Sequence, residues 1–217
     1  PFFDLFVLVA NPGDTAAEVA VTYLLPDGTT LVKPYTVAPT SRFNIWVDYE
    51  DARLADTAVS TTVRVTNGVP VLVERAMWWP GPGWYEAHNS FGATQTGTVW
   101  ALGAGEVTGA PWHAATYVLV ANTAGWEATV AVTVVFEDGT PAVTRGFAVN
   151  PTSRFNVDVG FAFPETVGKR FGVVVESVAT ATQAAAPIVV EGALYHHDTD
   201  GVVWAAGANA RATRLRG

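Results

Sequence analysis

The hexapeptide Pro39-Thr40-Ser41-Arg42-Phe43-Asn44 occurs twice in this chain of 217 residues. It returns unchanged as Pro151-Thr152-Ser153-Arg154-Phe155-Asn156, 112 positions later. A second string, Leu8-Val9-Ala10-Asn11, also returns, as Leu119-Val120-Ala121-Asn122, 111 positions later. Long identical strings at nearly constant displacement are typical of an internal repeat. The sequence therefore predicts two homologous units of roughly 100 residues, an ordinary size for a small domain.

The repeat also sets the expected boundary between the units. Val71-Leu72-Val73-Glu74 matches Ile188-Val189-Val190-Glu191 at a displacement of 117, so the second copy carries insertions. We predict domains at residues 1–97 and 98–217. Residues 98–115 are rich in glycine and have no counterpart in the first copy, so they form either a linker or the first strand of the second unit.

The apolar residues of each unit alternate with a period of two. Val19, Val21 and Tyr23 alternate with smaller or polar neighbours, and an Asp27-Gly28 turn follows. Alternation predicts strands with one buried face, and an Asp-Gly pair between them predicts a hairpin. Many short strands separated by turn residues indicate an antiparallel sandwich. We therefore expect an all-β protein of two tandem, immunoglobulin-like or related β-sandwich domains.

Composition excludes several classes of protein. With a net charge of −8, the chain lacks the stripe of basic residues that nucleic-acid binding needs. We therefore predict no nucleic-acid partner. With 49% hydrophobic and 15% charged residues, the chain can bury a core and is not disordered. No apolar run approaches the roughly 18 residues of a spanning helix, so no membrane insertion is predicted.

No motif points to catalysis or to a cofactor. The chain has no cysteine, which excludes disulfides, thiolate metal sites and cysteine nucleophiles. The acidic residues fall mainly at turns, where they usually accept local hydrogen bonds. We therefore predict a non-enzyme with no cofactor and no metal. The chain begins with Pro1 rather than methionine, so we expect a fragment or a processed product of a longer protein.

Two repeated charge pairs are the most informative polar feature. Arg42 and Glu74 recur as Arg154 and Glu191, each glutamate lying in a strand with little other charge. Arginine is the residue that best satisfies a carboxylate by a bidentate contact. We predict that Arg42 pairs with Glu74, and Arg154 with Glu191, as structural salt bridges.

Aromatic residues are the remaining candidates for a binding site. Trp78, Trp79, Trp84 and Tyr85 flank the turn 80–83, and such rings can stack on sugars or contact a neighbouring subunit. The alternative is that they cover the end of the sandwich. The second copy retains only Trp204, so we expect the aromatic group not to be duplicated.

The strings Leu8–Gly13, Pro39–Arg42 and Val73–Trp79 resemble a family of tandem β-sandwich repeats found in secreted and surface proteins of bacteria. That family has no assigned biochemical activity, so it supplies no catalytic residues. The resemblance implies an extracellular or cell-surface location. The second copy departs from the pattern, with Gly192–Tyr195 in place of Arg75–Trp78.

These observations predict a non-catalytic, extracellular structural or adhesive module of a larger bacterial protein. Its expected partners are other domains of the same polypeptide or neighbouring subunits. One alternative is a carbohydrate-binding module of a secreted hydrolase, which would bind glycans through the aromatic turn. Another is a filament subunit, in which edge strands and apolar N-terminal residues such as Phe2-Phe3 add to the sheet of a neighbour.

Overall fold

The computed structural model describes residues 2–109, 113–198 and 202–217. Regular structure is almost entirely antiparallel β, which confirms the predicted all-β fold. The chain divides into two compact units, Pro1–Gly92 and Ala93–Gly217. The second unit begins before the predicted residue 98 because Ala93 packs against the second core and Gly97 bonds to the backbone of Ile188.

The first unit is a sandwich of two sheets. Its four-stranded sheet has the order β4-β1-β6-β7, and its three-stranded sheet has the order β3-β2-β5. A 3-10 turn over Val47–Tyr49 follows β4. The strands are β1 (Asp4–Asn11), β2 (Ala17–Leu24), β3 (Thr30–Val37), β4 (Ser41–Trp46), β5 (Ser60–Val65), β6 (Leu72–Trp79) and β7 (Glu86–Phe91).

The alternation seen in the sequence builds the core between these two sheets. Val7 and Val9 on β1 face Val19 and Val21 on β2, and all four are buried. Successive side chains of a strand point to opposite faces, so the intervening residues of each strand lie on the outer surface. The outward-facing side chains of the β4-β1-β6-β7 sheet are therefore not needed for the core and can form a binding surface.

The repeated strings fix the loops of this sandwich. The amide nitrogen of buried Asn11, at the end of β1, donates to the carbonyls of Thr15, Val37 and Ala38. The Ser41 hydroxyl donates to the Ala38 carbonyl, which closes the turn between β3 and β4. These hydrogen bonds explain why the asparagine and the hexapeptide return together in the second copy.

The second unit has the same plan with added strands. Its sheets have the orders β12-β9-β14-β15 and β11-β10-β13-β8-β16. One short helix, α1 (Val159–Ala162), and a 3-10 turn over Pro164–Thr166 follow β12. The strands are β8 (Val99–Val107), β9 (Ala114–Asn122), β10 (Ala128–Phe136), β11 (Val143–Val149), β12 (Ser153–Asp158), β13 (Lys169–Val178), β14 (Ile188–His196), β15 (Ala206–Arg211) and β16 (Thr213–Arg216).

Equivalent strands pair in the same register in the two units. Val9 lies opposite Val73 in the first unit, and Val120 lies opposite Val190 in the second. Asn122 repeats the role of Asn11, donating to the carbonyls of Trp126, Val149 and Asn150. Of the two alternatives for residues 98–115, the described part contains the first strand of the second unit, β8; residues 110–112 lie outside the described residues.

The strand order is not that of an immunoglobulin domain. In that fold the third, sixth and seventh strands share a sheet. Here the sixth and seventh strands pair with the first and fourth, so the sandwich is of a related type. Strand β1 pairs with β4 on one side and with β6 on the other, and the filament alternative stays a prediction. Among the described helices, none is long and apolar enough to cross a membrane.

Candidate functional site

Five aromatic rings gather on the outer side of the β4-β1-β6-β7 sheet. Phe6 on β1 lies opposite Trp46 on β4, with ring centroids 5.0 Å apart. Trp84 reaches both rings from the turn between β6 and β7, at 6.0 Å and 5.5 Å. Tyr49 and Trp78 complete the group, at 4.5 Å from Trp46 and 6.0 Å from Trp84. We call Phe6, Trp46, Tyr49, Trp78 and Trp84 the aromatic surface.

A buried carboxylate holds two of these rings in place. Asp4 is 5% exposed, and its two oxygens accept hydrogen bonds from the indole nitrogens of Trp84, at 2.6 Å, and Trp46, at 3.2 Å. Hydrogen bonds to an ionised acceptor are stronger than those between neutral groups. Asp4 therefore fixes the orientation of both indoles.

A second carboxylate stands beside the first. Asp48, in the 3-10 turn after β4, accepts a hydrogen bond from the backbone N–H of Leu5 at 2.8 Å. Burial raises the pKa of Asp48, and the nearby charge of Asp4 raises it further. The hydrogen bond from Leu5 acts in the opposite direction. The edge of the aromatic surface is thus acidic.

Trp84 is held in an unusual backbone conformation. Its φ angle is +51°, in the left-handed region that bulky residues rarely adopt. Trp204 in the second unit has a φ angle of +53° and, like Trp84, lies two residues before the start of a strand. Trp204 therefore occupies the position in the second unit that Trp84 occupies in the first. The left-handed turn residue is thus found at the same place in both units.

The structure separates the four predicted aromatic site residues into two groups. Trp78, Trp84 and Tyr85 are exposed, Tyr85 most strongly at 83%. Trp79 is fully buried and contacts the rings of Phe3 and His88. It neighbours Trp78 on a strand, so the two side chains must point to opposite faces. The prediction that Trp79 belongs to an exposed binding group is therefore wrong.

Sequence reasoning missed Asp4, Phe6, Trp46 and Tyr49. The alternation that buries Val7 and Ile45 already places Phe6 and Trp46 on the outer face of neighbouring strands. An outward-facing tryptophan in an otherwise regular strand was the available signal. No sequence pattern indicates the role of Asp4, because it depends on two tryptophans 42 and 80 residues away.

The second unit does contain an equivalent group of rings, contrary to expectation. Trp204 lies 6.3 Å from the ring of Tyr117 and 5.1 Å from that of Tyr195. These two tyrosines take the positions of Phe6 and Trp78. Asp158 takes the position of Trp46 and accepts a hydrogen bond from Tyr117; burial, with the charge of Asp158, raises the pKa of that tyrosine. The group is duplicated in position but smaller and more polar.

The predicted salt bridges are not formed as expected in the first unit. Arg42 on β4 lies opposite Ala10, and Glu74 on β6 lies opposite Leu8, so β1 stands between them. Among the described residues, Glu74 accepts a hydrogen bond from Asn89 at 3.4 Å and no ion pair joins it to Arg42. In the second unit Arg154 donates to the side chain of Asn156, and the Arg154–Glu191 pair stays a prediction.

A separate polar network lies beside the first core. The Tyr35 hydroxyl donates to Glu50 at 2.7 Å and accepts from the Tyr23 hydroxyl at 2.8 Å. Lys33 binds the same carboxylate at 3.0 Å. Burial is the largest cause that raises the pKa of Tyr23, to about 12, and it raises the pKa of Tyr35 as well. Both phenols are therefore protonated at neutral pH and act as hydrogen-bond donors.

Comparison with known proteins identifies no family. No family model matches the chain, and no curated protein matches it. Among solved structures, it is similar to Thermotoga maritima 1070, with a TM-score of 0.45 and 14% identity over 56% of this chain and 97% of that one. It is also similar to the Anabaena sensory rhodopsin transducer, with a TM-score of 0.36 and 20% identity over 46% and 97% of the two chains. Red sea bream transglutaminase matches with a TM-score of 0.22 and 11% identity, over 100% of this chain and 29% of that one.

Proposed function

We propose that this chain is a non-catalytic structural or adhesive module of a larger extracellular or cell-surface protein. The aromatic surface of the first unit is its contact surface in this proposal. The observation that carries it is the presence of partly exposed tryptophan rings on an outer sheet face, held by the buried Asp4 carboxylate.

Rigid aromatic rings are well suited to adhesion. An aromatic side chain offers a large apolar area with few rotatable bonds, so ordering it on binding costs little entropy. Tyr49, at 77% exposed, and Trp78, at 39%, present such area to solvent. Contact residues of this kind commonly dominate the binding energy of protein interfaces.

The proposed location outside the cell rests on the resemblance of the repeated strings to secreted and surface repeats. It is tested with an antibody raised against this chain and applied to intact cells of the organism that encodes it. We expect labelling without permeabilisation. Labelling only after permeabilisation would contradict the extracellular assignment.

Adhesion is tested by coating beads with the chain and measuring their retention on those same cells. Excess soluble chain should compete for retention, and Trp78→Ala should reduce it several-fold. Trp126→Ala is the matched control, because Trp126 is 41% exposed but belongs to the second unit and lies outside the aromatic surface. Equal retention of all three proteins would argue against the aromatic surface as the contact site.

A carbohydrate-binding module is the second candidate. Trp78 and Trp84 are 39% and 37% exposed, so they offer aromatic area for stacking on sugars. Retarded migration of the chain in gels containing soluble polysaccharides would support this candidate if Trp78→Ala abolishes it. Migration that is independent of every polysaccharide tested would exclude binding to those polymers.

A further inference from the structure

The aromatic surface carries a buried negative charge. Asp4 is 5% exposed, and its two carboxylate oxygens accept hydrogen bonds from indole nitrogens. Among the described residues, neither Asp4 nor the nearby Asp48 has an ion-pair partner. Taking a charge out of water costs free energy, and hydrogen bonds offset that cost less completely than an opposite charge does. A cation at this surface would supply the missing compensation.

The first unit as a whole is acidic. Residues 1–92 include ten acidic and five basic residues. Lys33 binds Glu50 and Arg53 binds Asp51, so two of these basic side chains are engaged with other carboxylates. An acidic surface attracts cations and raises their local concentration. Charge complementarity therefore favours a cationic ligand for the first unit.

The exposed rings of the aromatic surface are suited to such a ligand. Tyr49 is 77% exposed, Trp78 39% and Trp84 37%. A cation is attracted to the face of an aromatic ring, and tryptophan gives the strongest attraction. Trp84 also donates its indole N–H to Asp4 at 2.6 Å, as a hydrogen bond to a charged acceptor does. The rings and the carboxylate thus attract a cation to the same place.

The hydrogen bonds of these carboxylates restrict the kind of cation. The two oxygens of Asp4 accept from Trp46 and Trp84, and Asp48 accepts from the backbone N–H of Leu5. A lysine ammonium or an arginine guanidinium brings N–H donors that need acceptors. A quaternary ammonium has no N–H donor and is recognised by aromatic rings. The site therefore favours a quaternary ammonium over a cation that must donate hydrogen bonds.

The second unit also combines its rings with a carboxylate, although a different residue supplies it. Asp4 corresponds to Ala115, which has no charge. There Asp158 accepts a hydrogen bond from Tyr117, and it also caps α1. A negative charge thus accompanies the rings in both units. Tyr195 of the second group is only 6% exposed, so the first unit is the one that offers accessible rings.

We infer that the aromatic surface binds a quaternary ammonium group of the choline type, carried by a ligand that has no adjacent phosphate. The inference rests on the proposed function, because it assigns the chemistry of what this contact surface recognises. A phosphate beside the ammonium would be repelled by the charges of Asp4 and Asp48. The ligand therefore carries a net positive charge.

The probe is choline, and its control is the neutral isostere in which a quaternary carbon replaces the nitrogen. Binding to the full, isotope-labelled chain is followed by the indole N–H signals in nuclear magnetic resonance spectra, assigned by replacing single tryptophans. We expect choline to shift the signals of Trp46, Trp78 and Trp84 to saturation and to leave that of Trp126 unchanged. Choline should bind about tenfold more tightly than the isostere, because only choline gains the cation–π attraction.

Two variants test the charge and the rings separately. Asp4→Asn should weaken choline binding about tenfold and leave binding of the neutral isostere unchanged, a difference that a merely structural role would not produce. Trp78→Ala should weaken choline binding several-fold, whereas Trp126→Ala, in the second unit, should bind like the parent chain. Thermal unfolding establishes that the variants are folded. If Asp4→Asn does not fold, the two ligands still test the charge on the unaltered chain.

Equal affinity for choline and its isostere would overturn the inference, as would a lack of saturation or shifts confined to indoles outside the aromatic surface. Tighter binding of phosphocholine or of phosphatidylcholine vesicles than of choline would also overturn it, because the ligand would then be a lipid headgroup.

The bead assay separates this inference from the proposed function. Excess choline should reduce the retention of coated beads. Retention that depends on Trp78 but is unaffected by choline would overturn the inference and leave the proposed function intact. Choline binding without bead retention would support the inference and contradict only the proposed function.

Discussion

Two buried asparagines perform the same structural task in the two units. Asn122 is fully buried, and its amide nitrogen donates to the carbonyl of Trp126 and to those of Val149 and Asn150 at the end of β11. Its side-chain oxygen accepts from the N–H of Ala124 at 2.9 Å. Water cannot reach these buried backbone carbonyls, so they need a hydrogen-bond donor from the protein. The Asn122 amide supplies it. The hexapeptide turn depends on this amide for its position.

Replacing Asn122 with alanine should therefore destabilise the second unit strongly. The change leaves the Val149 and Asn150 carbonyls without their donor, and we expect a loss of about 2–4 kcal/mol in unfolding free energy. Asn44→Ala, at an exposed position on β4, is the control and should change stability little. Chemical denaturation of the three proteins measures the difference, and a loss equal to that of the control would refute the role assigned to Asn122.

The tyrosine pair of the first unit predicts a dependence of stability on alkaline pH. The folded state raises the pKa of Tyr23 from 10.0 to about 12, so the neutral phenol is favoured in the folded protein. This contribution is complete below pH 10 and is lost as pH rises toward 12. Unfolding free energy measured across that range should fall, and Tyr23→Phe should fall less steeply. Parallel curves for the two proteins would contradict this assignment.

Strand β8 is the first strand of the second unit and is formed from its glycine-rich segment. Its inward residues Trp100 and Leu102 are buried in the core, and it lies between β13 and β16. A register shift in its pairing occurs near Phe171, where Gly105 meets the aromatic ring. Glycine is required at that point because a Cβ would lie 2.4 Å from the Phe171 ring. The glycines that suggested a linker thus permit close packing of a strand.

This packing yields a prediction with a control in the same strand. Gly105→Ala should destabilise the second unit by about 1–3 kcal/mol, because the methyl group forces the Phe171 ring to move. Gly103→Ala should have little effect, since no atom lies within 4 Å of an added Cβ there. Thermal unfolding of both variants provides the measurement. Similar melting temperatures for the two variants would show that the ring moves without cost.

The tryptophan before β7 has an equivalent before β15, but the side chains around the two tryptophans differ in polarity. Trp84 and Trp204 share a left-handed backbone, and each packs against a ring from the first strand of its four-stranded sheet. In the first unit the partner ring belongs to Phe6, and in the second it belongs to Tyr117 with Asp158 beside it. The same fold position therefore supports an apolar surface in one unit and a polar one in the other.

At the scale of the whole molecule, each unit has its own hydrophobic core. The first core draws only on residues before Gly92, and the second only on residues from Ala93 onward. A unit with a complete core of its own is expected to fold by itself. We predict that residues 93–217, produced alone, retain a β-type circular dichroism spectrum and unfold cooperatively. A fragment without a cooperative transition would show that its core is insufficient.

Most of the secondary structure is predictable because it depends on local patterns. Alternating residues such as Val19 and Val21 identify strands, and Asp27-Gly28 identifies the hairpin between β2 and β3. The candidate site is only partly predictable. Trp78, Trp84 and Tyr85 can be found from the sequence, whereas the burial of Trp79 depends on which face of the sheet packs inward. The Arg42–Glu74 prediction failed because strand order, which places β1 between them, is a property of the tertiary structure.

The all-β class follows from the amino-acid sequence alone, because the geometry of a strand imposes a period of two on its side chains. The sequence also indicated the repeated loops, since identical loops need identical hydrogen-bonding side chains. Which residues meet on an outer surface depends instead on how the strands pack in three dimensions. Asp4 meets Trp46 and Trp84 only after distant segments pack together, and Arg42 is kept from Glu74 by the strand that lies between them. Contacts between residues far apart in sequence leave no periodic signal in the sequence, so they are recognised only in the folded structure.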